Sequence, residues 1–540
     1  MKPSFRFNHL FNRIAFVWTV AFWCLCIAIP LGAVLSGATI GSTSDSTWGS
    51  AWRSLFDPVV LAVAGATFKQ ALCSMFLSGG IGLFFGLWLG KRFSLYSISR
   101  VESLLMVPNG VPTVVIATAW VLWLGRSGIL AHLGFHIEWA YSLKAVILAH
   151  VFLNVPLVAY LVAQARKAVP DEQLEAARTL GATGLGEFLW VIWPQIRWAF
   201  FAACAQVMAL CAMSFALVLI LGGGPPVQTL ETELFEKLRY GYLDMGGALA
   251  CAIWEMVLTI IPWVLLMAFK KQDSVQTVKK RDDWTQYRFQ SRRWMTFLGL
   301  VWVLPYFAVI NRQTWAGVLR IATNLSWRTQ VLESLRVSMS LAGLSSLAAV
   351  FTAFAAAISL QHLQTKPSSN LYGIGKVFEV LLGIPSGVSV LVLSLGVWTA
   401  YGRWIDPFEG SLFAMVVLQM TLFFPLAFRL LWPVARVRQL PQIESAALLG
   451  ATPFQVFRFV EWPRWRGPLL AALAGVGGAS LGEVGAVSLF YSEKLIPLPL
   501  LIARWMQQYR FEDAQTVCGI LFLLSFMLIV GSLELGRRLC

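Results

Sequence analysis

The sequence predicts an all-α integral membrane protein with about twelve transmembrane helices, arranged as two parallel six-helix halves. Three observations predict it. Only 13% of the 540 residues are charged while 58% are hydrophobic, whereas a soluble domain carries roughly 25% charged residues. Apolar runs of spanning length recur along the whole chain, and the mean hydropathy is +0.69. A 23-residue segment returns in related form 269 residues later. This composition excludes a cytosolic enzyme and a disordered or collagen-like chain.

The apolar runs of the first half lie at about 14–35, 66–90, 104–125, 143–165, 196–221 and 246–269. Those of the second lie at about 294–311, 337–360, 377–400, 411–432, 467–490 and 514–534. Residues 55–65 are also apolar and read as an interfacial helix or an extension of the second span. The first run follows Lys2, Arg6 and Arg13 and is about twice a signal-peptide core in length, so it reads as a retained span.

The net charge of +15 sits in short stretches between apolar runs, the pattern of cytoplasmic loops facing a lipid bilayer and not of a nucleic-acid surface. Lys91, Arg92, Arg166, Lys167, Arg178 and Arg197 fall on one side, together with Arg537 and Arg538. Both termini are therefore expected in the cytoplasm. The charged stretch 270–293 reads as a cytoplasmic linker between halves 1–269 and 294–540. The eight cysteines show no ligand spacing and read as small hydrophobes. His132 and His136 have the i, i+4 spacing of a ligand pair, but without a third ligand they read as surface residues and no metal site is expected.

The repeat decides the architecture. Residues 175–197 and 444–466 are identical at 11 of 23 positions, and the same offset aligns Pro156 with Pro425. Each copy lies between the fourth and fifth spans of its half, in loops of about 170–197 and 441–466. Each is expected to break into two short helices. Pro170 and Asp171 open the first, with Asp capping, and Pro441 opens its counterpart. Gly181 and Gly450 close them in the left-handed conformation. Thr183 and Thr452 cap the following helices, which Pro194 and Pro463 interrupt before the fifth span.

Glu-Ala-Ala, a glycine six residues after the Glu and a proline thirteen after the glycine resemble the signature loop of ABC importer permeases. Glu175, Ala176, Ala177, Gly181 and Pro194 match it in the first copy, and Glu444, Ala446, Gly450 and Pro463 in the second. Ser445, Trp193 and Trp462 depart from it. The resemblance implies a type I importer permease fold in the bacterial inner membrane. It also implies that the loops dock on a cytoplasmic ABC ATPase dimer and that a periplasmic substrate-binding protein delivers the solute. The sequence carries no phosphate-binding glycine loop of its own. No catalytic residue and no bound cofactor are therefore expected, and ATP belongs to the partner subunit.

The runs AHVFLNVP (149–156), SFALVLILGGGPPVQTLETELFEKLRYGYLD (214–244) and SLGEVGAVSLF (480–490) are similar to segments of the thiamine and ferric-iron permease group. The resemblance favours thiamine or its phosphates as the solute, with ferric iron as the alternative. Glu483 in span eleven and Glu255 in span six are the candidate pathway residues, since an ionisable group inside a span usually faces a cavity. The competing assignments are a hydrogen bond to a neighbouring helix, an outer-interface position for Glu483, and a structural or peripheral role for Glu255. A secondary transporter, which also uses repeats, would ordinarily show more intramembrane ionisable residues.

Overall fold

The computed structural model describes residues 3–36, 52–92, 110–126, 128–222, 227–239, 244–269, 304–364, 370–436 and 440–539. The linker 270–293 and most of the expected seventh span lie outside the described residues. Apolar all-round sequences fold as helices here because a bilayer offers no partner for an unpaired backbone group.

Nine helices among the described residues are long and apolar enough to cross a membrane, or ten if the pair Tyr372–Gly387 and Val390–Tyr401, bent by 101°, is one span. The expected eleventh span forms the 20-residue helix Trp462–Leu481, whose Arg464, Arg466 and four glycines leave it less apolar than the rest. The 55–65 stretch extends the second span, which runs as one helix over Pro58–Arg92.

The repeat extends well beyond the loops. Helices Leu143–Lys167 and Leu412–Arg436 begin and end 269 residues apart, with Pro156 and Pro425 inside them. Asp171–Thr179 and Leu440–Leu448 stand at the same offset, as do Trp193–Ala212 and Trp462–Leu481.

The first span of the first copy packs on the second half. In the helix that ends at Ser36, Trp23 Nε1 donates to Leu381 O at 3.1 Å and Trp18 Nε1 to Thr352 Oγ1 at 3.3 Å. Tyr401 OH donates to Leu25 O at 2.7 Å. In return, the turn Leu304–Ala308 sits against the first half, where Trp123 Nε1 donates to Pro305 O at 3.2 Å and Tyr306 meets Phe152. The largest hydrophobic core lies between the halves and draws on Val115, Leu217 and Leu249 from one side and Leu391, Leu489 and Leu501 from the other.

Candidate functional site

The repeated loops form one constellation. In the first copy Gly181 has φ of +85°, its N–H reaches Arg178 O at 2.9 Å, and Ala182 N–H reaches Ala177 O at 2.9 Å. This is a complete left-handed helix stop. In the second, Gly450 has φ of +81° and Ala451 N–H reaches Ala446 O at 3.0 Å. The Ala-to-Gly spacing of the motif is thus the spacing of a carbonyl acceptor and the glycine that turns the next N–H back to it. Glu175 and Ala176 are exposed on helix Asp171–Thr179, with Ala177 half-buried. Leu174, 3% exposed, anchors that helix. Glu444 lies on Leu440–Leu448, with its side chain outside the described residues.

Two local expectations need correction. Asp171 caps nothing: Pro170 holds the cap position and no side chain bonds there, so Asp171 acts through its charge in the first turn. Pro194 and Pro463 do not interrupt a helix. A π-turn precedes each proline, at Glu187–Ile192 and Phe457–Glu461, and the helix runs on into the fifth span. In the wider turn Trp193 N–H reaches Phe188 O and Trp462 N–H reaches Phe457 O. That register accommodates a residue that lacks an N–H and crowds the carbonyl four residues back. Thr452 caps its helix together with Gln455, as expected, whereas Thr183 offers only its backbone carbonyl, which accepts Gly186 N–H at 2.7 Å.

Three apolar positions are exposed in both copies and were not singled out from the sequence. They are Leu180 and Leu449 at 88% each, Leu185 and Phe454 at 72% each, and Trp190 and Phe459 at 81% and 73%. Each pair is 269 residues apart. Nothing in the chain itself covers these large apolar groups at any of the three matched positions. On the second loop they flank an open hollow of about 390 Å³ lined by Ala446, Leu449, Gly450 and Phe459. The first loop is braced by an ion pair, Arg178 Nε to Glu187 Oε1 at 2.9 Å. Its hydrogen bonds to Glu187 raise the pKa of the Arg178 guanidinium above its ordinary value.

The interior carries the second constellation. Both fifth-span helices stop short, at Ala212 and Leu481, and short helices resume at Ala216 and Gly485. Polar groups pin the two ends at the matched residues Cys211 and Ser480. Gln70 Nε2 contacts His150 Nδ1 at 2.8 Å and donates to Cys211 O at 3.2 Å. In the second copy Gln419 Nε2 donates to Ser480 O at 3.3 Å, and Ser345 and Ser480 share a bond of 2.8 Å.

Glu483 lies in the second break, not inside a continuous span, and its Oε1 accepts the N–H of Gly485 at 2.7 Å and of Ala486 at 3.4 Å. It binds backbone across the break, not a neighbouring helix. Glu255 is fully buried in helix Met245–Phe269, which excludes a peripheral place. Glu231, fully buried in helix Leu230–Arg239, was not predicted; Ser389 Oγ donates to it. The sequence does hold one signal for it: the repeat places Leu500 at the matching position. His132 and His136 are exposed, and the helix Ile129–His132 ends before it can join them on one face. No metal-binding group of side chains occurs among the described residues.

Residues 81–271 and 373–534 match the family model described as binding-protein-dependent transport system inner membrane component. Similar proteins include the thiamine transport system permease protein ThiP of Haemophilus influenzae, 28% identical over 91% of this chain and 92% of that one. ThiP of Brucella abortus is 27% identical over 89% of each chain. ThiP of Escherichia coli is 27% identical over 77% of this chain and 78% of its own.

Proposed function

This chain belongs to the family of binding-protein-dependent transport system inner membrane components, and from that premise we propose that it moves thiamine or thiamine phosphates from periplasm to cytoplasm as the permease of an ATP-driven importer. It is a multi-pass transport subunit of the inner membrane. The observation that carries the substrate is similarity to thiamine permeases over about nine-tenths of both chains. Their names specify thiamine and not iron, which favours the first of the two solutes.

In this reading residues 1–269 and 294–540 are two permease halves joined by the cytoplasmic linker 270–293, and both termini are cytoplasmic. The two exposed loops dock on a separate ATPase dimer, and a periplasmic binding protein delivers the solute. Glu175, Ala176, Ala177, Gly181 and Pro194 shape one docking loop, and Glu444, Ala446, Gly450 and Pro463 the other. The matched exposed residues Leu180 and Leu449 support this role. ATP stays on the partner.

The test is uptake of labelled thiamine into proteoliposomes holding the permease, its ATPase and its binding protein. Uptake should require ATP and the binding protein. Uptake driven by a proton gradient without ATP would make the chain a secondary transporter, and ATP-driven uptake of ferric iron without thiamine would change the substrate.

A further inference from the structure

Two glutamates are held by fixed donors where the halves of the chain meet. Glu231 accepts from Ser389 Oγ, and Ser389 in turn caps helix Val390–Tyr401 by accepting Leu391 N–H at 3.1 Å. Glu483 accepts from the Gly485 N–H at 2.7 Å. Helix breaks surround them: an added Cβ on Gly485 would stand 2.5 Å from Val390, and one on Gly482 2.5 Å from Pro112. Interrupted helices at membrane depth are tolerated where they line a path or pack in protein.

Glu255 reaches this place from a separate helix. It is fully buried, neither carboxyl oxygen meets a donor in hydrogen-bonding geometry, and the polar side chains nearest in influence are Glu231 and Ser389. Glu231 Oε2 also lacks a donor. The charged groups that act on Glu231 are Glu255 and Glu483, both acidic. Among the described residues no ion pair includes any of the three.

The acids are particular to the first half. The repeat places Leu500 and Leu524 where the first half has Glu231 and Glu255, so the equivalent helices of the second half are built with leucine. Burying carboxylates with no positive partner is strongly unfavourable, and inside a membrane such groups mark a pathway. What the cluster lacks is a cation. The three carboxyls do not converge as ligands of a metal ion, whose oxygen donors must close on one point. A flat organic ring with spread positive charge needs no such convergence.

We propose that Glu231, Glu255 and Ser389, with Glu483 at the break beside them, form a transit site for an organic cation and select it over a neutral molecule of the same shape. The inference rests on the thiamine reading, since the thiazolium ring of thiamine is such a cation.

The test compares uptake of thiamine with that of an analogue whose thiazolium nitrogen is replaced by carbon, which makes the ring neutral. The full permease, ATPase and binding protein are used in proteoliposomes, with the analogue loaded at saturation. Wild type should prefer thiamine at least tenfold. Glu231→Gln with Glu255→Gln should lower thiamine uptake at least tenfold and leave the analogue's uptake intact, bringing the two near parity. Glu231→Leu with Glu255→Leu, which copies the residues of the second half, should behave alike. Equal loss of both solutes, or unchanged thiamine uptake, overturns the site. Loss of assembly with the ATPase in both the Gln and the Leu pair assigns the acids to folding and overturns it too. A wild type that moves no thiamine overturns the substrate reading and this inference with it, whereas normal wild-type uptake with unchanged variants overturns the inference alone.

Discussion

Replacing Leu180 and Leu449 together with Asp is expected to release the ATPase while leaving the permease inserted. Both leucines stand 88% exposed at the tips of the repeated loops. Burying one such side chain under a partner contributes about 1.5–3 kcal/mol. Losing two therefore weakens association by roughly a hundredfold or more, at 1.4 kcal/mol per decade. Asp adds a desolvation cost at a covered surface. The fold itself loses little, because nothing packs on an exposed side chain. Co-purification of the ATPase with each variant, beside membrane content of the permease, measures both quantities. Gly181→Asp and Gly450→Asp should act in the same direction but more weakly. An added Cβ at either glycine meets nothing within 4 Å, so no clash arises. The cost is the left-handed turn, about 1 kcal/mol per residue, with repulsion between the carboxylate and the helix-end carbonyls. Wild-type retention of the ATPase by the Leu pair would remove these loops from the docking surface.

The loops were legible in the sequence because their chemistry is local. A carbonyl on Ala177 or Ala446 and a glycine four residues on make a helix stop with no help from tertiary structure. The helices of the bundle were legible for a similar reason: runs such as Leu143–Lys167 are apolar on every side. The crossing of the first span onto the other half was not. Hydropathy says that Trp18 and Trp23 lie in a span, but not that their N–H groups find Thr352 and Leu381. Pro194 and Pro463 misled for a different reason. A proline removes one hydrogen bond, and the sequence does not tell whether the helix answers by ending or by widening for a turn. Glu231 was hidden by its surroundings, since LETELFEKLR reads as a solvated amphipathic helix until the bundle closes over it. Comparison of the two copies supplies the missing information, because acids in one half stand opposite leucines in the other.

Gly86→Leu should cost the fold more than any substitution on the loops. Gly82, Gly86 and Gly90 lie four residues apart on helix Pro58–Arg92 and share one face. That face meets helix Leu143–Lys167 so closely that an added Cβ would stand 2.5 Å from Val158, 2.6 Å from Val162 and 2.7 Å from Arg166 respectively. At Gly86 the Ala159 carbonyl oxygen would also lie at 2.8 Å, and backbone cannot swing aside as a side chain can. Stripes of small residues let membrane helices approach to backbone contact, where dispersion replaces the hydrophobic drive that lipid removes. The second copy has Phe351, Ala355 and Ser359 at the matching positions, so the glycine stripe belongs to the first copy. Forcing leucine between the first pair must separate the helices, at a cost of about 3 kcal/mol, the upper part of the usual overpacking range. Gly80→Leu is the control. It lies on the same helix, is exposed, and an added Cβ there meets nothing within 4 Å. Apparent melting temperature and folded yield in detergent should fall for Gly86→Leu and hold for Gly80→Leu. Equal melting of the two variants would mean that the glycine stripe does not set the distance between these helices.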